Sequence, residues 1–386
     1  MKRGSFIISG IAVAAAARPA AAPAQFIPRS LQQMLNIGVN VPLSGDRAEG
    51  GREIVTGVAS AIDYVNRFGG TFTSAFAMRT FDDTDALAQS MVNVQFAAAD
   101  PTVIGMVGGF DGPLIGASLT TYQNSAMPLI VPGTTDDAVT SRGYRNVWRL
   151  PTKDSTEGQL AAQFAAKRYK SKLAIAISQD GDYGQGVMQG FLNGAKASKY
   201  NAIGYLFGYE HPNFDQVAKE LIAKKPDFLY LCGLTSAMGP VIPALRAAGY
   251  TGPLAASQGF YNQETSAKYG DQFSNGFIST SLAPLDLAPD VAQQLQDLRT
   301  RTPVTALSAF GYAAAQILMS AVRRTGANNR LTILNALQTP FTYSTLVGQF
   351  QFLPTGDPID PIVYFYSLAD GKYKFIAPSH PTGFVL

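Results

Sequence analysis

Apolar and polar positions alternate along the chain in blocks that predict strand, then helix, then strand again. Residues 34–43 form an apolar strand-like run that ends in Pro42-Leu43-Ser44-Gly45. Residues 52–67 follow, with Ile54, Val55, Val58, Ile62 and Val65 spaced to line one buried helix face. Residues 76–81 read as a strand closed by Asp82-Asp83-Thr84, 85–98 as a helix, 103–107 as a strand, 113–125 as a helix and 129–131 as a strand. A second series begins near Asp154. Helices are predicted at 156–168, 185–198, 214–224 and 238–248, with strands at 173–177, 202–207, 228–231 and 254–256 between and after them. Alternating strands and helices mean a parallel sheet covered on both faces. Two such series mean an α/β protein of two doubly wound parallel-sheet lobes. The last hundred residues differ: helices near 289–300, 306–324 and 331–337 precede strand-like runs at 347–352 and 362–367. No low-complexity linker divides the two series, which fits a chain that crosses between lobes more than once.

The N-terminus changes the charge picture. Met1-Lys2-Arg3 is a basic start, residues 6–17 are apolar but too short to span a bilayer, and Ala22-Pro23-Ala24 is a small-x-small cleavage site. Residues 1–24 therefore read as an export signal cleaved near Ala24, and the location as the periplasm. The whole chain has 30 basic and 27 acidic residues; Lys2, Arg3 and Arg18 lie within the signal, and the remainder is balanced. A balanced chain lacks the concentrated basic field that nucleic acid or an anionic membrane requires. Cys232 is the single cysteine and lies in the apolar run 228–233, as a buried core thiol would.

Candidate chemistry concentrates at predicted strand ends. After the apolar run 127–131, the stretch Pro132-Gly133-Thr134-Thr135-Asp136-Asp137 offers backbone and hydroxyl groups, and Ser155 with Glu157 can start a helix. A polar loop after a strand places ligand groups at the carboxyl edge of a sheet, where open α/β folds bind small molecules. Gly108-Gly109-Phe110-Asp111-Gly112-Pro113 and Gly181-Asp182-Tyr183-Gly184-Gln185-Gly186 are glycine-rich turns before helices; each also reads as a plain tight turn. Asp82-Asp83 reads as a helix cap rather than a metal or acid pair. His211 and His380, the two histidines, read as solvated loop residues. The chain has no nucleophile elbow, His-x-x-x-His or Cys-x-x-Cys spacing, so the reading is a non-enzyme with no cofactor and no metal.

Taken in order, Ile37 to Gly45, Asp63 to Gly70, Asp82-Asp83, Val107-Gly108, Pro132 to Gly158, Asp182-Tyr183-Gly184 and Gly356-Asp357 resemble a known family. The chain resembles the substrate-binding proteins of branched-chain amino acid ABC transporters, the leucine/isoleucine/valine-binding group of type I periplasmic binding proteins. The resemblance runs from about Leu35 to Gly371. It implies two lobes joined by a three-stranded hinge: residues 35–153 with 282–350, and residues 154–281 with 351–386. It also implies a small-molecule ligand enclosed between the lobes, an inner-membrane permease as partner, and a monomer. A ligand sensor on the same fold is the alternative role. In amino-acid-binding members the ligand carboxylate is held at strand ends of the first lobe. The matching residues here are Gly133, Thr134 and Thr135, and the closing aromatic ring matches Tyr183.

Four departures bear on the ligand. The serine that helps hold the carboxylate falls at or near Gly112, a second-lobe tyrosine at Leu234, the glutamate facing the ligand ammonium at Gln258, and a first-lobe tyrosine at Gly50. An amide supplies a dipole but no charge, and losing one partner of a buried charge pair costs about 3–5 kcal/mol. The ligand is therefore expected not to be a zwitterionic amino acid. A carboxylate, amide or aromatic solute suits Thr135, Gln258 and the Gly112 amide, with Phe110, Tyr183, Phe260 and Tyr261 as walls. Glu49 and Asp111 are nearby acids that could restore the missing charge and with it branched-chain amino acid binding.

Overall fold

A computed structural model describes residues 33–68, 74–179, 181–208, 212–273, 275–285 and 291–381. The export-signal reading at 1–24 and His211 lie outside the described residues. The first series comprises β1 (Gln33–Val41), α1 (Ala48–Phe68), β2 (Ser74–Asp82), α2 (Leu87–Ala99), β3 (Val103–Gly108), α3 (Gly112–Asn124), β4 (Leu129–Val131), α4 (Ala138–Ser141) and β5 (Val147–Arg149). The second comprises α5 (Asp154–Tyr169), β6 (Ala174–Gln179), α6 (Asp182–Ala197), β7 (Ala202–Phe207), α7 (Phe214–Ala223), β8 (Phe228–Cys232), α8 (Thr235–Met238), α9 (Val241–Ala247), β9 (Leu254–Ala256), α10 (Gln263–Tyr269) and β10 (Ile278–Thr280). The C-terminal part adds α11 (Ala292–Arg299), α12 (Ala306–Thr325), α13 (Arg330–Gln338), β11 (Tyr343–Thr345), β12 (Gly348–Phe350), β13 (Val363–Ala369) and β14 (Lys372–Ser379).

Strand order is β2-β1-β3-β4-β5 in the first sheet and β14-β13-β10-β9-β8-β6-β7 in the second. The five strands of the first series and the matching five of the second thus repeat one doubly wound order, all parallel within each set. Such sheets bind ligands beyond the carboxyl ends of their strands, at the point where strand order reverses. The second sheet departs from a purely parallel lobe. β13 joins β10 antiparallel and turns back into β14, because the chain re-enters this lobe from the other and finishes as a hairpin.

The helix expected at 238–248 is α9, which starts at Val241 after Gly239-Pro240; the four-residue α8 that ends at Met238 precedes it. Asp82 and Asp83 do not cap α2: they accept from the amides of Leu43, Thr84 and Asp85 and shape the turn before it. In both lobes a pair of helices meets at glycine. A Cβ on Gly57 of α1 would lie 2.1 Å from the Ser308 carbonyl of α12, and one on Gly190 of α6 would lie 2.3 Å from the Ser155 carbonyl of α5. Cys232 is fully buried, and burial raises its thiol pKa.

Helices α11–α13 and the β11–β12 hairpin pack into the first core, with Leu295, Leu298, Tyr312, Leu334 and Tyr343 beside Ile37, Val39 and Ile130. Phe352 also packs on that core, and Asp357 pairs with Arg149. The boundary expected at 350–351 therefore falls inside a stretch that still packs with the first sheet. The chain passes between the sheets three times, near 150–153, 281–285 and 358–362. Thr152 ties the passages together: its amide donates to Ser281 Oγ (2.9 Å) and its hydroxyl to the Ile362 carbonyl (2.9 Å).

Candidate functional site

The carboxyl ends of β3 and β4 form one lip of the interlobe seam. Thr134 N–H donates to the Gly109 carbonyl (3.2 Å), and its hydroxyl accepts from Asp136 N–H (3.3 Å). These bonds hold Gly133 half-buried and Thr134 and Thr135 buried. Asp111 caps α3 by accepting from Leu114 N–H (3.2 Å) and pairs with Arg47 (3.1 Å), which also pairs with Asp85. Its charge is thus already matched. Phe110 lies under the same guanidinium, 5.5 Å from ring centroid to Cζ. Its ring occupies the space a side chain at Gly50 would need, 2.7 Å from a Cβ built there. At Gly112 a Cβ would lie 2.0 Å from Asp136 Oδ2, so a carboxylate of the protein fills the space of the family serine. Glu49 is exposed on α1.

The loops after β6, β8 and β9 form the other lip. The Tyr183 hydroxyl donates to Ser257 Oγ (3.3 Å) and accepts from Gly259 N–H (3.0 Å). Burial, with Glu157 and Asp154 nearby, raises its phenol pKa well above the usual value. Leu234 stands 52% exposed at the start of α8. Gln258 Oε1 accepts from Ser281 N–H (2.8 Å), so its carbonyl is spent on the second chain passage. Phe260 is not a cleft wall: it is fully buried in the second core against Phe273, because the turn after β9 rotates it inward. Its neighbour Tyr261 packs against both cores and is the aromatic residue that spans the lobes.

Two acids that the sequence reading did not place in the seam lie within it. Asp154, the first residue of α5, is 4% exposed, and its Oδ1 has no hydrogen-bond partner. Its amide donates to the Thr135 carbonyl (3.0 Å). Burial raises its pKa well above the usual value, opposed by the Thr135 hydroxyl. The sequence predicts a helix-start role for Glu157. It turns into the lobe, where Oε1 accepts from Gln258 N–H (2.7 Å) and Ser279 Oγ (2.7 Å), and burial pushes it up to about 7. The available signal was their spacing of three, which puts both on one helix face. Ser155, the second residue of α5, does not cap it: its amide and hydroxyl donate across the seam to Asp137. Arg149 is fully buried and structural: it donates to Asp357 Oδ1 (2.9 and 3.0 Å) and the Asp136 carbonyl (2.5 Å).

Among the described residues no group of three or more His, Cys, Asp or Glu side chains could hold a metal ion. His380 pairs with Asp360 (2.8 Å) instead of standing free. A cavity of about 430 Å³ lies beside the three passages, lined by Leu150, Thr152, Ser281, Phe310, Asp360 and Tyr364 among others, away from the strand-end loops. No helix of the described residues is long and apolar enough to cross a membrane.

The profile of the periplasmic binding protein family matches residues 35–372. The chain belongs to that family. Among curated relatives, Leu/Ile/Val-binding protein homolog 1 of Brucella suis is 25% identical over 88% of this chain and 92% of its own length. A solved neighbour is the isoleucine-bound substrate-binding protein of a branched-chain amino acid transporter from Streptococcus pneumoniae: TM-score 0.79, 19% identity, 90% of this chain and 100% of that one. Another is a solute-binding protein of an ABC transporter from R. palustris in complex with benzoate: TM-score 0.75, 20% identity, 89% and 96% covered. The fold is thus that of a type I periplasmic binding protein, and the branched-chain amino acid resemblance stands at the level of family. This periplasmic binding protein keeps two doubly wound lobes, three chain passages and polar strand-end loops facing one seam.

Proposed function

We propose that the protein is the solute receptor of an ABC importer and encloses an organic acid, amide or aromatic solute other than a zwitterionic amino acid. The observation that carries this reading is Gln258. It stands where the family glutamate faces a ligand ammonium, and its carbonyl is already taken by Ser281 N–H, leaving an amide N–H₂ to offer. The benzoate in the complex of one structural neighbour is in keeping with such a ligand. Gly133, Thr134, Thr135, Phe110, Tyr183 and Leu234 are the proposed lining, and Tyr261 remains a wall without Phe260. The lobes divide near 153 and 281, with the third passage at 358–362. Ligand favours closure only by binding the closed arrangement better than the open one, and the closed form docks on a permease. Export with removal of residues 1–24, and a monomeric state, belong to the same reading.

Calorimetry with valine, leucine and isoleucine beside aliphatic and aromatic acids and amides tests it. Micromolar or tighter binding of valine or leucine would overturn the ligand class. Gln258→Glu keeps an acceptor for Ser281 and adds the missing charge; it should raise amino-acid affinity by about 100-fold or more.

A further inference from the structure

The Asp154 carboxyl sits where the first-lobe carboxylate loop meets the second lobe. Its amide is bonded to the Thr135 carbonyl, and the Thr135 hydroxyl steadies its side chain. Within its own lobe α6 packs on it: a Cβ on Gly186 would lie 3.0 Å from Asp154 Cβ. Oδ1 is buried and without a partner. Buried polar atoms are almost always hydrogen-bonded, and one left unpaired is strongly unfavourable. The charged and titratable groups around it supply no donor. Glu157 is on its own helix, Asp137 precedes α4, Tyr183 of α6 is bonded to Ser257 and Gly259, and Arg149 of β5 is occupied by Asp357, Thr140 and the Asp136 carbonyl.

We propose that Asp154 is a specificity-determining ligand contact whose Oδ1 accepts a hydrogen bond from a hydroxyl or amide N–H group of the solute. This rests on the reading of the seam as the solute site and narrows the ligand class. The donor is carried close to the group held by Gly133–Thr135, because Asp154 adjoins Thr135. A site built around a hydrogen bond to a ligand donor discriminates against the analogue that lacks it, since its own buried polar atom is then left unpaired.

The test uses ligands that differ in one donor on the carbon beside the carboxylate: 2-hydroxy-3-methylbutanoate against 3-methylbutanoate, and 2-hydroxy-2-phenylacetate against phenylacetate, with valine as the ammonium counterpart. Affinities are measured by calorimetry for the wild type, Asp154→Ala and Asp154→Asn. The donor-bearing acid of a pair should bind the wild type about tenfold tighter or more, and Asp154→Ala should reduce that preference to about twofold or less. Asp154→Asn, which keeps the shape and an acceptor oxygen, should retain part of it. Thermal melting of the ligand-free variants measures the loss of the Thr135 hydrogen bond, which weakens all ligands alike and leaves the preference within each pair unchanged. Equal affinities within each pair, or a preference that survives Asp154→Ala, would overturn the assignment. Tightest binding of valine would instead overturn the proposed ligand class, and its dependence on Asp154 would still decide the contact.

Discussion

Glu157 exposes the physics of the lobe junction to a direct measurement. Its side chain is 1% exposed, and one oxygen accepts from Gln258 N–H and Ser279 Oγ, both at 2.7 Å. Those two bonds favour the carboxylate. Burial opposes it more strongly and raises the group from 4.5 to about 7. The folded protein therefore holds this proton more tightly than the unfolded chain does. Below about pH 4.5 the group is protonated in both states and its ionisation has no effect on stability. As pH rises toward 7 the unfolded chain releases its proton first, and stability falls; above 7 the full penalty applies, about 3 kcal/mol. Glu157→Gln keeps the acceptor oxygen and removes the titration. Its stability advantage over the wild type should grow by about 2–3 kcal/mol between pH 5 and pH 8. Urea unfolding at the two pH values measures this, with the single tryptophan, Trp148, as a buried fluorescence probe beside the first chain passage. A difference between variant and wild type that stays constant across this range would refute the argument, because it would mean that the acid does not change ionisation between the folded and unfolded states there.

Two further outcomes follow from packing. Asp357→Asn leaves the fully buried Arg149 without its counter-charge and should destabilise by about 3–5 kcal/mol in urea unfolding, whereas cutting an exposed pair such as Lys268–Glu264 should leave the unfolding midpoint nearly unchanged. Gly57→Ala places a methyl group against the Ser308 carbonyl at the α1–α12 crossing and should cost about 1–3 kcal/mol; an unchanged unfolding midpoint would show that the helices can separate freely.

The sequence by itself determined the architecture. Runs such as 103–107 and 228–231 are apolar throughout, as only strands buried on both faces are, and the spacing of Ile54, Val58 and Ile62 allows one helix face. Local pattern therefore carried most elements, and the polar loops after β3, β4 and β6 followed from strand polarity alone. β5, β10 and β11 escaped: each has three residues and includes polar ones, whereas the equally short β4 and β9 are apolar throughout. Tertiary structure decided what each side chain does. Asp111 and Glu49 looked equally available as counter-charges until folding brought Arg47 to one and left the other exposed. Phe260 and Tyr261 are adjacent aromatics, and only the turn after β9 sends the first into the core and the second across the lobes. Asp154 and Glu157 read as the opening of a helix. Their role depends on Thr135, Gly186, Gln258 and Ser279, which lie between 19 and 122 positions away in sequence. Burial and hydrogen bonding are properties of that convergence, so the roles of these two acids could be identified only from the tertiary contacts.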